Sequence, residues 1–466
     1  MQKNLLFILL TITLLSSTIC HAQTDHEKNN PEVIVIGAGI SGLAAANYLV
    51  KQHIPVLVLE ARNRIGGRID TVHSWGPGLD LGASWIHGIN NNPIALMAKQ
   101  QHLSTTATHY ADTSPFARFE SYIFYDAAGK KLPENQVKQA LNLAHQFDHF
   151  VEKNTALLDN KSIEDAYQLF IQQNYLSGDT ANLLHYIITV LYIYEFSADL
   201  HSLSANAQLP YNQSVVSGKN VIFSYGYSQI LPALTKNIPI ELNQRVKKIN
   251  YGKEGVDIYT DTAHYQAKQV IITVPLGVLK SGAITFTPTL PAEKLDVINK
   301  LDMAVYNKIF LFFDHPFWDT KTEWIGYIPK NYNLHETVDI MNYYKYTQQP
   351  ILLMFTGGSR GAEIEHWSDQ QTITYLMSVL KKIYGENIPK PSSYFITRWN
   401  TDPLSYGAYS YLPAGVKPNY YAKFIAPVNN QLFFAGEATS TTDPSTVHGA
   451  YLTGIRAAKQ VLAVDR

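Results

Sequence analysis

Near the start of the chain, apolar positions pass from a continuous run to helical spacing and back to a run. Residues 32–36 are apolar and β-rich and stop abruptly at Gly37, which predicts a buried strand entering a glycine turn. Residues 40–50, rich in Ala and Leu, suit a helix, and residues 55–59 read as a second buried strand ending at Glu60. Together they predict a β-α-β unit. Residues 110–209 carry helical spacing with amide-rich faces, as at 136–151 and 162–174. Short alternating strands follow over 238–274, with turns at Gly252, Gly255 and Asp261 and a stop at Pro275. Residues 281–413 mix strands such as 308–313 and 351–355 with a helix near 372–383. A buried strand resumes at 431–435, and the last helix is expected over 447–464. No internal repeat, low-complexity segment or clear linker separates these stretches, which predicts domains that interleave.

Composition narrows the class. A chain of 466 residues exceeds the size at which one core usually keeps growing, so two or more cooperating domains are expected. Hydrophobic residues make up 46% and charged residues 16%, against a usual charged share of about 25%, which favours a large buried interior over disorder. The formal charge of -1 leaves no basic surplus for nucleic acid or anionic lipid, so the expected partners are small molecules. Residues 1–22 read as an export signal cut after Ala22, with Lys3 as the positive start and an apolar run over 5–15 too short to span a membrane. The expected destination is secreted or periplasmic. Cys20 is the only cysteine, so the mature chain is expected to contain neither disulfides nor reactive thiols. No metal site is expected: His335-Glu336 is followed by Asp339 where a zinc motif needs a second His.

The strongest local signal is Val33-Ile34-Val35-Ile36-Gly37-Ala38-Gly39-Ile40-Ser41-Gly42, a dinucleotide fingerprint with a strand before it and a helix after it. Gly37 permits the tight turn, Gly39 lets the backbone approach a pyrophosphate, and Gly42 allows close helix–strand packing. The helix N-terminus offers unpaired N–H groups and the positive end of a dipole. Glu60 lies about 20 residues further on, where an acidic side chain binds a ribose hydroxyl pair.

The fingerprint alone does not separate FAD from NAD. The blocks that follow do: Glu60-Ala61-Arg62-Asn63-Arg64-Ile65-Gly66-Gly67-Arg68, Leu79-Asp80-Leu81-Gly82-Ala83-Ser84-Trp85-Ile86-His87-Gly88, Tyr306-Asn307-Lys308, Arg398-Trp399, Gly407-Ala408-Tyr409, Phe434-Ala435-Gly436-Glu437 and His448-Gly449-Ala450-Tyr451. In this order the chain resembles the flavin-containing amine oxidases, specifically the polyamine oxidases. The resemblance implies an α/β fold (α+β overall), in which a Rossmann-like FAD-binding domain is interleaved with a substrate domain of mixed sheet and helices. Residues 31–110, 215–285 and 425–466 are assigned to the first and 111–214 and 286–424 to the second. It also implies that Glu60 holds the adenosine ribose, that Arg68 and neighbouring amides hold the phosphates, that Val246 meets the adenine by its backbone, and that Glu437 contacts the FAD chain. Ala61, Arg62, Gly67, Gly82, Ala83, Ser84, Trp85, Trp399, Gly436 and Val447 complete the expected cofactor site. Monoamine oxidases attach FAD through a cysteine, whereas the matching residue here is Ala408, so FAD is expected to be non-covalent. Residues 457–466 are short and charged where those enzymes carry an apolar tail, which implies no membrane attachment.

For the chemistry, the resemblance implies hydride transfer from an amine to flavin, with oxygen as the second substrate. Lys308 sits in an otherwise apolar strand, where a buried lysine is costly unless paired or used. It is the best catalytic candidate, implied to hold a water against the flavin. Tyr409 and Tyr451 are implied to form two aromatic walls, which would favour the neutral amine. His87 would face the substrate, at a position that plant polyamine oxidases often fill with glutamate and animal ones with histidine. His448 could cap the last helix. Tyr306 belongs with the substrate site, and Glu195 or Asp199 could receive a polyamine's remote charges. Two alternatives stand beside this reading. An L-amino-acid or monoamine oxidase is one, the former needing an arginine such as Arg118, Arg360 or Arg398 for the substrate carboxylate; a non-catalytic flavin-binding module is the other.

Overall fold

The computed structural model describes residues 31–109, 116–330 and 338–464. The expected export signal at residues 1–22, and His335 and Glu336, lie outside the described residues.

The first apolar run forms the strand Val33–Ile36, followed by the helix Ile40–Lys51 and the strand Val56–Leu59. These strands sit inside a five-stranded sheet ordered Leu432–Phe434, Gln269–Ile272, Val33–Ile36, Val56–Leu59, Ile240–Glu241, and every pairing in it is parallel. The run is continuous rather than alternating because both faces are covered. Val33 and Val35 pack into one apolar cluster with Leu43 and Leu49 of the first helix and Ala457 and Val461 of the last. Ile34 and Ile36 pack into another, with Ile249 and Ile258 of a four-stranded sheet built from residues 246–267 and 285–287. The helices Ile40–Lys51 and Val447–Val464 therefore lie on one side of the parallel sheet. The fold is α/β with a Rossmann-like nucleotide-binding core.

A second, six-stranded sheet runs Ser393–Ile396, Tyr306–Phe312, Ile351–Gly357, Val338–Asn342, Trp324–Tyr327, Tyr122–Tyr125. Its pairings are antiparallel except the last, between Trp324–Tyr327 and Tyr122–Tyr125, which is parallel. Period-2 alternation along Tyr306–Phe312 sends Ile309 and Leu311 into a cluster with Leu376 and Leu380 of the helix Asp369–Tyr384. Tyr306, Lys308 and Phe310 share the opposite face, whose apolar partners include Trp85, Phe147 and Phe355. On this side lie the helices Glu134–Lys153, Ile163–Gln173 and Gly178–Phe196. Among the described residues, no helix is long and apolar enough to cross a membrane.

Candidate active site

The turn after Val33–Ile36 is built for a close backbone approach. Gly37 has φ +104°, and an added Cβ would lie 2.7 Å from Thr273 Oγ1. The amides around it converge on one carboxylate: Ala38 donates to Glu60 Oε2 at 2.7 Å and the Arg62 amide to Oε1 at 2.9 Å. Glu60 is buried at the end of Val56–Leu59, which explains why an acidic residue closes an apolar strand. Gly39 begins the helix Ile40–Lys51 with no side-chain cap, so the first-turn N–H groups face the cavity without a protein acceptor from the cap. Gly42 does not line the cavity. Its missing Cβ leaves room for the Gly37 carbonyl and for Thr273 Oγ1 at 2.9 Å, so it acts by packing.

Arg68 donates to the Ala408 carbonyl at 2.9 Å and pairs with Glu437 Oε1 at 2.8 Å. Glu437 is buried and also accepts from the Ser410 and Ser445 amides at 3.1 and 3.0 Å and from Ser410 Oγ at 2.6 Å. It thus fixes the orientation of Arg68. Arg62 is held by Asp402 at 2.6 Å. Trp399 donates from Nε1 to the Leu81 carbonyl at 3.1 Å, against the turn that carries Gly82. Gly37, Gly39, Glu60, Ala61, Arg62, Gly67, Arg68, Gly82, Ala83, Ser84, Trp85, Val246, Trp399, Gly436, Glu437 and Val447 all line one cavity of about 690 Å³.

Lys308 lines the same cavity. Its Nζ donates to the carbonyls of Asp80 at 2.9 Å and Gly82 at 2.5 Å and bonds Ser84 Oγ, and it sits 5.6 Å from the Trp85 ring. Those contacts account for three donors, the full complement of an ammonium. Burial nonetheless pushes its pKa down to about 8, opposed by the negative Asp80 side chain. Asp80 in turn is pushed up to about 6 by burial, against hydrogen bonds from Thr71 Oγ1 at 2.6 Å and the Tyr227 amide at 2.8 Å.

The aromatic walls differ from the sequence expectation. Tyr409 lines the cavity, bonds Ser197 Oγ, and donates to the Glu195 carbonyl at 3.2 Å. Tyr451 does not line it, because one helical step past the cavity-lining Ala450 turns its ring onto the apolar cluster between helices and parallel sheet. The ring beside Tyr409 is Tyr306, with centroids 6.2 Å apart, itself stacked on Phe355 at 5.4 Å. His87 is half-buried on the cavity wall, and desolvation lowers its pKa against the opposing pull of Glu195, with His448 adding to the lowering.

Glu195 lines the cavity; Asp199 does not. Asp199 instead accepts from the Ser359 amide at 3.1 Å at the start of the helix Gly358–Glu365, a capping position. His448 pairs with Asp443 at 3.1 Å rather than capping its helix; that cap is Thr446, whose Oγ1 accepts from the Gly449 amide at 3.0 Å. Arg360 pairs with Glu363 and stacks on Trp367 and Tyr375, and Arg398 pairs with Asp369; neither lines the cavity. The Arg118 side chain lies outside the described residues. Sequence reasoning missed Asp148, Tyr192 and Asp443, which line the cavity but carry no motif. Among the described residues no cluster of three or more His, Cys, Asp or Glu is placed to hold a metal ion.

Comparison with known proteins defines the class. A family model described as flavin containing amine oxidoreductase matches residues 40–462. Polyamine oxidase 2 of Arabidopsis thaliana is 34% identical over 443 residues, covering 93% of this chain and 88% of that protein. Lysine-specific histone demethylase 2 of Homo sapiens is 31% identical over 460 residues, covering 94% of this chain and 54% of its own length. Among solved structures, a cyclohexylamine oxidase from Brevibacterium oxydans superposes with a TM-score of 0.74 at 22% identity, covering 94% of this chain and 100% of that one, a likeness of fold. This chain belongs to the flavin-containing amine oxidoreductases, and it is an enzyme acting on amines with FAD as its cofactor.

Proposed function

We propose that the chain oxidises a polyamine such as spermine, spermidine or an acetylated form. The supporting observation is that one cavity joins the dinucleotide cradle at Gly37, the buried amine of Lys308, the Tyr306–Tyr409 pair and the carboxylate-bearing helix Gly178–Phe196. The similarity to a polyamine oxidase supports the same reading.

The residues present suit FAD. The open first turn of Ile40–Lys51 would hold the pyrophosphate, Glu60 the ribose, and Arg68, kept in place by Glu437, the charged part of the chain. The chemistry FAD supplies when bound is acceptance of a hydride equivalent, with oxygen as final acceptor, giving hydrogen peroxide and an imine that hydrolyses to an aldehyde. With its donors held by Asp80, Gly82 and Ser84, the Lys308 amine is fixed in the cavity and moves protons at Nζ. Tyr306 and Tyr409 keep water from the reacting carbon and favour the uncharged amine. His87, whose proton affinity is lowered by burial, lines the cavity where it can contact the substrate.

An amino-acid oxidase is less well supported, since Arg360 and Arg398 are already paired with acidic residues away from the cavity. The interleaved domain division, and export directed by residues 1–22, belong to the same proposal; a secreted product beginning at Gln23 is the result expected from N-terminal sequencing. The activity is tested by hydrogen peroxide release across polyamines, acetylated polyamines, monoamines and amino acids. Release with polyamines is expected, and release confined to amino acids or monoamines would overturn the assignment.

A further inference from the structure

The carboxylates that line the cavity are not alike. Glu60 is engaged by backbone amides, Glu437 by Arg68 and the serines, and Asp443 by His448. Asp148, on the helix Glu134–Lys153, differs: it lines the cavity, and its hydrogen bond comes from the Tyr192 hydroxyl to Oδ1 at 3.2 Å. No Lys or Arg pairs with it among the described residues. The ionisable groups around it are Glu152, a like charge, and His145 and His149, and burial pushes its pKa up. A partly buried carboxylate in this position is relieved by a cation arriving from the cavity.

Placement along the wall points the same way. Tyr192, which donates to Asp148, and Glu195, which also lines the cavity, are three residues apart on Gly178–Phe196 and so share a helix face with a rise of about 4.5 Å between them. Two carboxylates thus follow one another along one wall, with apolar Phe116 and Leu191 also lining the cavity. The described Lys and Arg side chains that line the cavity are Arg62, Arg68, Arg245 and Lys308; Arg62 and Arg68 are tied to Asp402 and Glu437, and Lys308 to Asp80, Gly82 and Ser84. A chain bearing several ammonium groups matches this wall.

We propose that Asp148 is a specificity residue that receives a second, remote ammonium of the substrate, an assignment resting on the polyamine reading above. The test is Asp148→Asn in the holoenzyme, which keeps an acceptor for Tyr192 and removes only the charge. With spermine, KM rises about tenfold while kcat is maintained. As competitive inhibitors of spermine oxidation, diaminooctane weakens about tenfold and octylamine does not change. Asp148→Glu, which restores the charge, brings back the preference for the diamine, so a generally damaged protein is told apart from a lost contact. Equal weakening of both inhibitors, or none, overturns the inference. A wild-type enzyme that oxidises other amines but not spermine overturns the polyamine reading itself, which is a separate result.

Discussion

Lys308 reaches the Asp80 carbonyl at 2.9 Å while the Asp80 carboxylate bears on the same amine electrostatically, so the charge of each buried group favours the charge of the other. The strand Tyr306–Phe312 delivers the lysine and the strand Leu79–Asp80 receives it, which ties the six-stranded sheet to the nucleotide-binding side of the cavity. Removing the amine takes away the group proposed to move protons at Nζ. Lys308→Met is expected to retain FAD, seen as an unchanged visible spectrum, and to lower kcat by about 100-fold or more.

The pH dependence of stability follows from the same lysine. Its folded pKa, about 8, lies below the usual 10.5. Between those values the folded chain has released a proton that the unfolded chain still binds, so this group makes stability rise with pH across that window. Below it, both states are protonated and burial of the charge is a constant cost. Thermal unfolding of wild type and Lys308→Met followed from pH 7 upward is expected to show wild type gaining on the variant between about 8 and 10.5. A constant difference would contradict the lowered pKa.

Glu60 binds the amides of Ala38 and Arg62 and is placed to receive the ribose. Its neutral form loses the charge in each of those bonds. Glu60→Gln is expected to weaken FAD binding about tenfold, measured by reconstitution of stripped protein. Affinity equal to wild type would remove Glu60 from the cofactor site.

Gly42 tests packing apart from binding. A methyl group there would press on the Gly37 carbonyl and on Thr273, both backbone or short side chain with little room to yield. Gly42→Ala is expected to cost about 1–3 kcal/mol and to lower the unfolding temperature even of protein stripped of cofactor.

Much of this was legible in the sequence because local pattern and chemistry coincided. The apolar runs at 33–36 and 56–59 mark a two-sided sheet, and Gly37, Gly39 and Glu60 sit where a turn, an approach and a carboxylate are needed. Lys308 stood out as a charge in an apolar strand and is indeed buried. Other features depend on tertiary contacts with no local signature. The helix Gly178–Phe196 is apolar around most of its circumference and shows no clear stripe; Tyr122–Tyr125, four strand formers inside a stretch expected to be helical, is a strand paired with distant Trp324–Tyr327. Tyr451 was expected on the cavity from its motif, but helix phase decides where a ring points, and that place beside Tyr409 goes to Tyr306 from another sheet. Asp199 illustrates the same limit: a carboxylate close in sequence to Glu195 serves a helix end.

The most direct test of the account is an anaerobic spectral titration of the purified protein with spermidine. Bound flavin is expected to bleach as the amine is added and to regain its colour when air is admitted. Protein that is colourless after reconstitution, or whose colour no amine bleaches, would contradict it.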